Sequence, residues 1–87
     1  MDERCTQLSL ELEQLFEELI AHQRARVIER AQRLVPRITA DDVLSPVDVP
    51  ELSADPEWNY EDGLLAGYLA AQMAVRAHLL RSLAPPT

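Results

Sequence analysis

Apolar residues recur along this chain at helical spacing, and nowhere does the two-residue alternation of a strand appear. From Asp2 to Val35 there is neither glycine nor proline; acids open this run and arginines close it, as a helix dipole prefers. A second run from about Glu61 to Leu83 is stopped by Pro85-Pro86. The segment between them, residues 36–60, holds four of the six prolines and no glycine. Ile38, Val43, Leu44, Val47, Val49, Leu52 and Trp58 punctuate it, so it does not read as a loose linker. Three local helix starts fall inside it. Thr39-Ala-Asp-Asp42 and Ser45-Pro-Val-Asp48 each set a capping residue three places before an acid. Asp55-Pro56-Glu57 places proline at a first helical position. The pattern predicts an all-α fold: one domain over residues 1–87, a long helical hairpin whose proline-rich, acidic connector is itself structured.

On a helix, Leu8, Leu12, Leu15 and Leu19 fall in one line. Ile20, Val27, Ala31, Leu34 and Ile38 form a second line, rotated by roughly 100° from the first. A coiled-coil seam would keep its stripe fixed. The shift predicts that the two ends of the first helix pack against different neighbours. Arg26, Arg30, Arg33 and Arg37 continue the line that the leucines leave. Guanidinium forks match carboxylates and phosphates alike. Residues 39–62 carry eight acids and no base, so the expected partners of this row are the chain's own carboxylates or those of a second copy, ahead of an external acidic partner and, last, nucleic acid. Acids early and bases late on the same helix also favour antiparallel self-association.

The second helix sorts its residues by size. Gly63, Ala66, Gly67, Ala70, Ala71, Ala74 and Ala77 take one half; Leu64, Leu65, Tyr68, Leu69, Met73, Val75, Leu79, Leu80 and Leu83 take the other. A helix apolar all round is a buried helix, and small residues let another backbone come close. The first helix can cover only one half. A second copy is therefore expected to cover the rest and complete a four-helix bundle, with Leu64, Gly67, Ala70, Ala71 and Ala74 at the self-association interface. The other occupant to weigh is a different protein with a basic or apolar helical surface.

Composition narrows the choice of partner. Net charge is −7, and all eight bases are arginine. That balance lacks the basic footprint of nucleic-acid or membrane-surface binders. The uncharged run Gly63 to Val75 is 13 residues long, short of the ~20 needed to span a bilayer. Met1-Asp2-Glu3-Arg4 does not resemble a signal peptide, and a lone Cys5 offers no internal disulfide. A cytoplasmic location is expected.

Candidate chemistry is sparse, and no cofactor is expected. Glu18 and His22 sit four apart, but a bundle metal site uses Glu-x-x-His, and Leu19 occupies that place. No acid lies within a turn of His78, and Cys5 has no activating base nearby in sequence. Gln72 and Arg76, set among large apolar residues, suit a register-setting polar layer or a small ligand pocket. Trp58 either staples the connector to the core or, if exposed, joins Asp48 and Glu51 in an acidic, aromatic partner surface beside Arg26, Arg30 and Arg33. The expected class is a small non-enzymatic interaction or oligomerisation module. The alternative is a bundle that holds a small ligand or metal through Glu18, His22, Gln72 and Arg76.

Overall fold

The structure is a computed structural model in which residues 3–83 are described. It is all-α: α1 (Glu3–Leu34), α2 (Ala40–Val43), a 3-10 turn (Pro46–Asp48), α3 (Pro50–Ser53) and α4 (Pro56–Leu83). The long helices lie side by side and run in opposite directions, since Gln23 and Arg26 reach Glu61 while Arg76 reaches Glu13.

Local chemistry explains most boundaries. Thr39 caps α2 with the full reciprocal box: its hydroxyl accepts from the Asp42 N–H, and the Asp42 carboxylate accepts from the Thr39 N–H. Ser45 stands before the 3-10 turn but makes no side-chain cap; Pro46, with its fixed φ, starts that turn instead. Pro50 does the same for α3. The largest departure from the expected pattern is the start of α4, five residues before Glu61. Asp55 does not open a separate short turn. It caps α4 itself, with the Trp58 N–H donating to Asp55 Oδ2 at 2.7 Å and Pro56 at the first helical position. The connector is thus residues 35–55.

The core sits at the connector end. Val27 and Ala31 from α1 meet Ile38, Leu52 and Trp58, with Leu34, Val35, Val43, Val49 and Leu65 packed around them. Trp58 is 1% exposed and Leu52 is fully enclosed. Away from that knot the molecule is only two helices thick. Its extents are 51 × 22 × 20 Å and its radius of gyration is 17.2 Å, against about 12 Å for a compact chain of this length. Its surface is 6582 Å², whereas a compact protein of this mass exposes about 5,200 Å².

Candidate interaction surface

The α1–α4 seam runs straight. The residues of α1 that turn toward α4 are Ser9, Glu13, Phe16, Ile20, Gln23, Val27, Ala31 and Leu34, each buried or half-buried. Their steps of three and four hold one stripe along the whole contact. The second apolar line of the sequence therefore belongs to this seam. The leucine line does not. It lies roughly 90° round the helix and is open: Leu8 is 54% exposed, Leu12 38%, Leu15 60% and Leu19 38%. Among the described residues none encloses it.

Polar bonds fix how the helices are turned about their axes. Gln23, 3% exposed, donates through Nε2 to the Glu61 carbonyl at 2.9 Å and to Glu61 Oε2 at 2.6 Å. Arg26 grips the same carboxylate with a two-pronged fork, 3.1 and 3.0 Å long. The guanidinium first, and the Gln23 amide after it, hold the Glu61 carboxyl below its ordinary value. On the opposite side of the seam Arg76 forks onto Glu13, with Nε at 2.9 and 3.1 Å from the two oxygens, and it lowers the Glu13 carboxyl likewise. Arg76 is therefore a clasp between the two helices, and Gln72, one turn before it, is buried in the seam.

The Arg26–Glu61 fork also shows which flank of α4 shares a side with the leucine line. Arg26 continues that line on α1. On α4, the row that starts at Glu61 continues through Leu64, Tyr68, Ala71 and Val75 at steps of three and four. Leu64, Tyr68 and Val75 are half-buried and Ala71 is exposed. An apolar groove results, with leucines on one lip and the Leu64–Val75 row on the other, closed at its upper end by the ion fork. Gly67, Ala70 and Ala74 lie further round α4, away from α1, and are exposed. A Cβ built on Gly63 or Gly67 meets nothing within 4 Å.

The arginine row meets the chain's own acids at three positions. Arg30 holds Asp55 in a fork of two 3.1 Å bonds and reaches Glu57 at 3.1 Å. Arg30, then the Trp58 N–H, lowers the Asp55 carboxyl. Arg33 bonds Glu29 at 2.8 Å, one turn back on its own helix. Arg26, Glu29, Arg30, Arg33, Glu57, Tyr60 and Glu61 line a shallow depression of about 480 Å³ in which acids offset bases. Of the expected partner surface, Trp58 is a correction. Its ring is in the core, stapling the start of α4 to α1, and it is not available to a partner. Asp48 and Glu51 are exposed on the connector, apart from the arginine row.

Glu18 and His22 are both exposed on α1, and Glu18 accepts from Gln14 at 3.4 Å. Gln72 and Arg76 belong to the seam, so the four residues of the ligand-site reading are not brought together. Among the described residues no group of three or more His, Cys, Asp or Glu side chains is placed to hold a metal ion, and no helix is long and apolar enough to cross a membrane. Gln23 is the residue that sequence reasoning missed. It fills the place between Ile20 and Val27 in the three-and-four spacing, and that was its only signal. No family model, curated protein or solved structure matches this chain.

Proposed function

We propose that this chain is a small non-enzymatic interaction module that works as a homodimer, two helical hairpins closing into a four-helix bundle. The observation that carries the reading is the bare leucine line on α1, where four consecutive seam-spaced leucines are 38–60% exposed. Single exposed leucines are ordinary, but a contiguous apolar row beside a second one marks a surface that another protein covers. Polar chemistry offers no rival site of equal definition. Arg26, Arg30, Arg33 and Arg76 are each bonded to a carboxylate of this same chain. His78 lies 3.4 Å from the Ser82 hydroxyl.

A cytoplasmic setting and a further protein partner belong to the same proposal. The exposed acids Asp48 and Glu51 on the connector suit a basic helical surface, leaving the apolar groove to the second copy. Mass action supplies the test, because a fold that includes dimerisation must melt at a temperature that rises with protein concentration. A melting temperature independent of concentration over a hundredfold range would remove the dimer from the account.

A further inference from the structure

The two lips of the groove are complementary to each other, and we infer that the second copy docks with its α1 leucines against the first copy's α4 row, and the reverse, about a two-fold axis parallel to the helices. This rests on the self-association proposed above and assigns its seam. A two-fold contact must use one patch that fits itself. The groove meets that demand because large residues (Leu8, Leu12, Leu15, Leu19) form one lip and the mixed row Leu64, Tyr68, Ala71 and Val75 forms the other. At the heights set by the Arg26–Glu61 and Glu13–Arg76 bonds, a partner turned this way brings Leu19 beside its Tyr68, Leu15 beside its Ala71 and Leu12 beside its Val75.

Charge selects this arrangement over α1 packed on α1. From Glu3 to Leu19, α1 carries Glu3, Glu11, Glu13, Glu17 and Glu18 against Arg4 alone. After Asp62, α4 carries Arg76, His78 and Arg81 and no acid. Laying α1 on the partner's α4 brings the α1 acids beside a stretch that has no acid of its own and puts Glu11 level with the partner's His78. Laying α1 antiparallel on α1, with Leu12 opposite Leu15, would instead press Glu11 toward Glu18. The chosen arrangement also makes every adjacent helix pair antiparallel, the up-down-up-down order of simple bundles.

Two measurements test the seam. In the first, solution mass is compared for the wild type and Leu15→Glu, with circular dichroism on both. Leu15 is 60% exposed within the single chain, so the variant should keep its helix content and fall from two chains to one. In the second, the native Cys5, exposed on α1, reports the arrangement through a short bismaleimide. With α1 and its copy diagonal and parallel, the two Cys5 thiols stand level across the bundle and cross-link. With α1 antiparallel on α1 they would be 17 residues apart along the axis, about 26 Å, and would not. A dimer that survives Leu15→Glu overturns the seam while leaving self-association intact. A dimer split by Leu15→Glu but refractory to cross-linking overturns the α1-on-α4 arrangement. A wild type that stays one chain overturns self-association itself, and leaves the groove to an unlike partner.

Discussion

Trp58 is the largest of the fully enclosed side chains and packs the start of α4 into the core with Val27 and Ala31 of α1. Trp58→Ala should cost about 3–5 kcal/mol, a large part of the stability of a chain this short. Urea denaturation followed at 222 nm checks it, and a loss below about 1 kcal/mol would place the core elsewhere. The forks at Glu13, Asp55 and Glu61 make a prediction in pH. Each carboxyl is held below its ordinary value of 4.5 for Glu or 3.8 for Asp. A lowered folded-state pKa adds stability above that ordinary value, and the addition disappears as pH falls through the folded value. Glu61→Gln should therefore melt below wild type at pH 7, and the gap should close as pH drops below about 4. A gap that stays constant to pH 2 would mean the Arg26–Glu61 fork contributes nothing. The pairing of the arginine row with carboxylates was legible in the sequence, because eight acids crowd residues 39–62. Gln23 was not, because glutamine in a helix most often faces water.

For the helices, the sequence pattern located both long elements but misjudged one edge and left one contact open. The α4 boundary slipped because Asp55-Pro56 reads as the start of a short turn, and nothing local says that the helix beginning there continues unbroken to Leu83. Which α1 stripe meets α4 was not decided by periodicity either. The leucine line is the more apolar of the two, yet the seam follows the mixed line through Ser9, Glu13 and Gln23, because the knot at Trp58 and the ion forks set how α1 is turned. Hydrophobicity alone would have buried the leucines. The small face of α4 gives a sharper expectation. With open space where a Cβ on Gly67 would stand and no backbone strain there, Gly67→Ala should stabilise α4 by about 1 kcal/mol through helix propensity. A rise in the urea midpoint with the solution mass unchanged confirms it. A destabilised variant would mean another backbone packs against Gly67 in the assembly.

At the scale of the molecule, the chain is a rod with a knot at one end. Its core is gathered at the connector, and the opposite two thirds of the α1–α4 pair is held by one stripe of contacts and the Glu13–Arg76 clasp. Beyond the knot two helices enclose little interior, and the exposed leucine line of α1 is the face on which a further layer would pack. The proposed self-associating module rests on that line, and the oligomeric state tests it most directly. We would measure mass by light scattering on a sizing column across a dilution series. The account predicts twice the 9.8 kDa of one chain, giving way to one chain only at the lowest concentrations. A mass of one chain throughout, with helix content unchanged, would contradict it.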